Sequence, residues 1–131
     1  MLDTNAASAA MRGVAGIDAR LARLDPAQWC ISAVTRSELR YGVALRPAAT
    51  KLAQYVEAFL QAASTMPWDE KAADRHGRLR AQLRGPGTPI GDFDEMIAAH
   101  ALSLGAVLVT DNVQHFGRVE GLVIENWVRA G

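Results

Sequence analysis

Apolar residues in this chain come in short unbroken runs separated by longer stretches with a helical period, and no other feature constrains the fold as much. Runs at Met1-Leu2 leading into Asp3, at 29–32, 65–68 and 106–110, and near 122–125 read as strands. Most lack polar alternation, as strands do when crossover helices cover both of their faces. Between them, helical patterns run over 4–12, 17–24, 33–45, 48–63, 69–84 and 92–104. Asp69 and Asp92 stand where N-caps belong, and Asp92 with Glu95 has the form of a capping box. The expected fold is α/β, a three-layer domain with a short, mainly parallel sheet flanked by helices. A chain of 131 residues has the size of one domain, expected to span 1–131.

Charge gives no direct sign of a partner. Lys and Arg total 14 against 14 Asp and Glu, so the chain lacks the basic excess that announces nucleic-acid binding. Cys30 is the single cysteine, which excludes an internal disulfide and a cysteine-built zinc site and fits a reducing cytoplasm. No apolar run is long enough to span a membrane, and Asp3 and Arg12 interrupt any signal-peptide core. The expectation is a cytoplasmic protein with no membrane contact.

The informative residues are carboxylates where apolar residues belong. At 100° per residue, Glu38 shares a helix face with Val34, Tyr41 and Leu45, and Asp94 shares one with Ile97, Ala98 and Ala101. An ionised carboxylate facing a core is costly unless an arginine or a metal compensates it. Asp3 and Asp111 end strands, where parallel α/β sheets place their ligands. Four acids from four separate elements, brought about 4 Å apart, would repel by roughly 4 kcal/mol per pair at an effective dielectric of 20. Such a set calls for a cation, and all-oxygen ligands suit Mg²⁺ or Mn²⁺. Histidine offers no competing site, since His76 falls on an apolar stripe and His100 and His115 lack ligand-spaced partners. No serine elbow or glycine-rich phosphate loop is present.

These residues lie in segments that resemble the PIN-domain ribonucleases, and among them the VapC-type toxins of bacterial toxin–antitoxin pairs. The segments are Leu2-Asp3-Thr4-Asn5, Ile31-Ser32 through Glu38-Leu39 and Tyr41-Gly42, Pro89-Ile90-Gly91 through Asp94 to Ala101, Leu108 through Asn112 to Phe116, and Glu125-Asn126-Trp127. Carried over residue by residue, Asp3, Glu38 and Asp94 match the family's three acids. The fourth position falls to Asn112, with Asp111 beside it as a contender and Thr110 as an orienting hydroxyl. The run from Ala6 to Ala10 departs from the bulky apolar residues usual there.

The resemblance implies Mg²⁺-dependent hydrolysis of RNA. It also implies a VapB-type antitoxin that alone contacts operator DNA, and assembly as a homodimer. A PIN-like scaffold acting as co-repressor with its antitoxin is the alternative; a phosphatase using Asp3 is disfavoured because Asn5 replaces the second Asp. Lys71, Arg75 and Arg78 form one face of the helix after Asp69 and are expected to track an RNA backbone. If the four acids line a metal site, the surface outside it is basic despite the neutral total.

Overall fold

The middle of the sheet is a single residue. In the computed structural model, which describes residues 1–129, Leu2 bridges in parallel to Ile31 on one side and to Val109 on the other. Beyond it lie two parallel pairs, β1 (Ile31–Ser32) with β2 (Thr65–Met66) and β3 (Leu108–Val109) with β4 (Ile124–Glu125). The order across the sheet is therefore β2-β1-Leu2-β3-β4. Backbone bonds make the joins: Leu2 N–H donates to the Cys30 carbonyl at 2.9 Å, Asp3 N–H to Val109 at 3.0 Å, and Val109 N–H to Met1 at 2.8 Å. The chain winds outward from the centre one way, then returns and winds the other way. That topology creates a switch point at the carboxyl ends of the central strands, and Asp3 and Thr110-Asp111 emerge there.

Helices α1 (Thr4–Met11), α2 (Ala15–Ala22), α3 (Ala33–Leu45), α4 (Thr50–Ala62), α5 (Glu70–Arg84), α6 (Asp92–Leu104) and α7 (Val113–Phe116) complete three layers. Leu2, Ile31 and Val109 turn toward a core with Ala6, Ile17, Leu39, Val56 and Leu60. Met1 and Leu108, each one residue earlier on its strand, turn to the opposite core with Leu79, Leu83, Ile97, Ala98 and Phe116. Among the described residues no helix is long and apolar enough to cross a membrane.

Several local expectations are corrected. Beyond the Met1-Leu2 run, the strands are two residues long where four or five were predicted, because ladder hydrogen bonding covers only part of each apolar run, and at Ser32, whose Oγ accepts from Val34 N–H at 3.0 Å, α3 begins at once. Asp69 caps α5 as expected, through Ala72 N–H at 3.1 Å. Asp92 does not cap α6. Gly91, at φ 109°, is the N-cap and Asp92 the first helical residue, so the box with Glu95 does not form. Glu95 instead turns inward, fully buried, and pairs with Arg84 at 3.1 Å; Arg84 also binds Asp92. Tyr41 and Leu45, placed on a core-facing stripe with Glu38, are 65% and 61% exposed. The buried residues of α3 are Val34, Thr35 and Leu39, and in its second half Val43 alone packs partly on the core. His76 is half-buried, its ring 5.5 Å from that of Trp68, and Cys30 lies just outside β1.

Candidate active site

Each acid is positioned by the start or the inward face of a helix. Asp3 follows the central residue of the sheet and caps α1, its Oδ1 accepting from Ala6 N–H at 2.7 Å, with 2% of the residue exposed. Glu38 projects from the middle of α3, where Thr4 Oγ1 donates to its Oε1 at 2.5 Å and Thr35 Oγ1 lies 3.3 Å from the same hydroxyl. Asp94 sits in the first turn of α6, which Gly91 starts and the buried Ile97, Ala98 and Ala101 hold against the sheet.

The electrostatics join these three. Burial is the main cause that pushes Asp94 up to about 6, and the negative charges of Asp3 and Glu38 add to it. Burial likewise raises Asp3 above the usual carboxylate range, with Glu38 and Asp111 contributing, while the Thr110 hydroxyl and Ala6 N–H pull the other way. Asp3 thus lies within reach of the charges of Glu38 and Asp111, and Asp94 within reach of those of Asp3 and Glu38.

Among the described residues no arginine or lysine forms an ion pair with Asp3, Glu38 or Asp94. The ordinary fate of an inward Glu, pairing with one of the arginines, is therefore absent at Glu38. Three crowded carboxylates without a basic partner fit a cation, and their oxygens fit a hard one. Among the described residues no three His, Cys, Asp or Glu side chains close into a ready-made cage.

Asp111 differs from the other acids, because its Oδ1 accepts from Arg129 Nε at 2.7 Å and from Asn126 Nδ2 at 2.9 Å. Asn112 donates its backbone N–H to Thr110 Oγ1 at 2.9 Å, and its side-chain amide lies 3.0 Å from His115 Nδ1. Sequence reasoning missed three of these neighbours. His115 lies close enough to lower the pKa of Asp94, and its spacing of three from Asn112 on α7 was the available signal. The role of Thr4 was readable only as part of a motif. Nothing in the sequence links Arg129 to Asp111.

The predicted basic row lies elsewhere. Lys71, Arg75 and Arg78 line a groove of about 330 Å³ with Leu102 and Ser103, near the last turn of α6, whereas Asp94 is in its first turn. That separation is about 12 Å along the helix axis. A second cleft, of about 500 Å³, is lined by Asn5 and Ser8 of α1, by its C-cap Arg12, by Asp111-Asn112 and by Arg129.

Comparison with known proteins gives one consistent family. The PIN domain matches residues 1–122. A tRNA(fMet)-specific endonuclease VapC from Salmonella typhimurium is 37% identical over 127 residues, covering 97% of this chain and 96% of its own length. Ribonuclease VapC2 of Haemophilus influenzae is 37% identical over 99 residues, 76% of this chain and 75% of its own. In solved structures, DNA-bound VapBC from Salmonella typhimurium superposes with a TM-score of 0.90 at 38% identity, covering 97% of this chain and 96% of that one. VapBC2 from Rickettsia felis, bound to a promoter DNA fragment, gives a TM-score of 0.89 at 31% identity over 97% of both chains.

Proposed function

The chain belongs to the PIN-domain family, and on that premise we propose that it is a metal-dependent ribonuclease, the toxin of a type II toxin–antitoxin pair. The observation that carries this reading is the gathering of Asp3, Glu38 and Asp94 at the switch point of the sheet with no basic side chain bonded to any of them. The activities named for its relatives support RNA as the substrate and make initiator tRNA the first RNA to test.

Asp3, Glu38 and Asp94 would hold Mg²⁺ or Mn²⁺, with Asp111 as a further carboxylate. When bound, the cation supplies neutralisation of charge on the scissile phosphate and acidification of water. The remaining work belongs to the chain's own groups. Ala6 N–H fixes Asp3, and Thr4 holds Glu38, which would accept the proton of the attacking water. Asn112, held by His115, would orient water with its amide. Hydrolysis joins the water oxygen to phosphorus, breaks the P–O3′ bond and delivers a proton to O3′, leaving a 5′-phosphate and a 3′-hydroxyl. Lys71, Arg75 and Arg78 would grip RNA beyond the far end of α6.

The test is cleavage of initiator tRNA by the purified protein with Mg²⁺ or Mn²⁺. Asp3→Ala and Asp94→Asn are expected to reduce turnover by roughly a hundredfold or more. Cleavage that survives both substitutions, or that EDTA leaves untouched, would overturn the reading. The partner would be a VapB-type antitoxin that reaches operator DNA through its own domain, with the toxin paired to a second copy. VapBC complexes among the solved relatives support this, and so do the solvent-exposed Tyr41, Leu45 and Tyr55 of α3 and α4. Co-expression with the product of a short neighbouring reading frame is expected to yield a stable complex with suppressed cleavage.

A further inference from the structure

The cleft beside Asp111 shares Asp111 and Asn112 with the chemistry above, and Asp111 lies close enough to Asp3 to raise its pKa, while the rest of the cleft's lining has no part in that chemistry. Asn5, Ser8 and Arg12 follow one another at intervals of three and four on α1 and form one wall, while Ala6 and Ala7 turn to the core. Asp111 and Asn112 form the floor, and Arg129 stands on the other side. Arg129 already compensates Asp111 at 2.7 Å, whereas Arg12 has no ion-pair partner among the described residues. The cleft therefore carries one positive charge in excess, immediately beside a strongly negative cluster.

Its lining decides what it can hold. Two guanidinium groups, one of them paired with the Asp111 carboxylate, two carboxamides and a hydroxyl suit phosphate and ribose oxygens. No aromatic ring lines the cleft, so it has no platform on which a base could stack. We propose that this cleft is a subsite for the nucleotide adjoining the scissile phosphate, gripping its phosphodiester with Arg12 and Arg129 and its sugar with Asn5 and Ser8. The inference rests on the nuclease reading for the identity of the substrate, but the cleft and its charge do not depend on it. It makes Arg12 and Arg129 contributors to affinity that ignores base identity.

Two measurements test it. In the first, a mixture of nucleoside 5′-monophosphates is titrated into the metal-free protein in EDTA and followed by amide NMR. Shifts are expected at Asn5, Ser8, Arg12 and Asn112, with affinity weakened roughly tenfold for each guanidinium lost in Arg12→Gln and Arg129→Gln. Shifts along the Lys71 to Arg78 face instead, or affinity unchanged in the double variant, would overturn the proposal. In the second, Arg12→Gln alone, which leaves the pair of Arg129 with Asp111 intact, should show a raised KM for initiator tRNA with kcat held within about threefold, and an unchanged KM would also overturn it. Nucleotide shifts in the cleft without any metal-dependent cleavage would sink the nuclease reading and leave the cleft standing. Cleavage without those shifts would do the reverse.

Discussion

Asp94 holds its proton up to about pH 6, and the consequence for folding has a definite sign. The unfolded chain releases this proton near 3.8, so the contribution of the group to stability is full below that value and is lost as pH rises through about 6. Asp3 shifts in the same direction. At neutral pH the metal-free fold therefore carries a penalty that the unfolded chain does not. Asp94→Asn is expected to raise the melting temperature of metal-free protein by a few degrees at pH 7.5 and to leave it unchanged near pH 3.5. Added Mg²⁺ should narrow that gap by stabilising the wild type alone. A variant that melts lower at neutral pH would mean that Asp94 serves the fold instead. These acids were legible in the sequence because a carboxylate on an inward face breaks a periodic pattern. Arg129 and Thr4 were not, since their bonds to Asp111 and Glu38 join residues far apart in the chain and leave no periodic trace.

At the level of elements, the fold closes around a buried polar contact between α6 and the start of α3. His100 Nδ1 lies 2.8 Å from Ser32 Oγ, the hydroxyl that caps α3. Burial lowers the pKa of His100 below 6.5, against the opposing pull of Asp69 and the Pro67 carbonyl. A depressed folded value means that this contribution is present above pH 6.5 and is lost as pH falls from there through the folded pKa. Below pH 6.5 this loss opposes the gain from Asp3 and Asp94, so in chemical denaturation His100→Gln should gain more stability on acidification than the wild type; identical slopes would remove His100 as a contributor. Helices α3, α5 and α6 could be read from apolar spacing and stop signals. The strands could be located but not measured, because apolar character continues into the loops while hydrogen bonding stops after two residues. Helix α7, four residues long, is too short to show a period. The start of α6 depended on the backbone at Gly91, which side-chain pattern does not record.

Across the whole molecule, the neutral total hides local charge: Asp3, Glu38, Asp94 and Asp111 gather at the switch point, while guanidinium groups stand in the flanking cleft and along α5. Reversing charge at Arg75 and Arg78 is expected to weaken RNA binding and flatten its salt dependence, and binding unchanged at all salt concentrations would make that face merely solvated. The order in which the sheet is built has a consequence in time. Its centre is made first, but the partner at 109 comes 106 residues after Asp3, the separation also spanned by the bond from the Met1 ammonium to the Val107 carbonyl. At ordinary rates of synthesis that gap lasts roughly 5 to 20 s. A chain ending at Leu104 already contains Asp3, Glu38 and Asp94 but lacks the strand that seats Asp3, and it is expected to show no cleavage. The proposed nuclease is thus expected to stay chemically silent until synthesis has passed Val109, however early its three acids are in place.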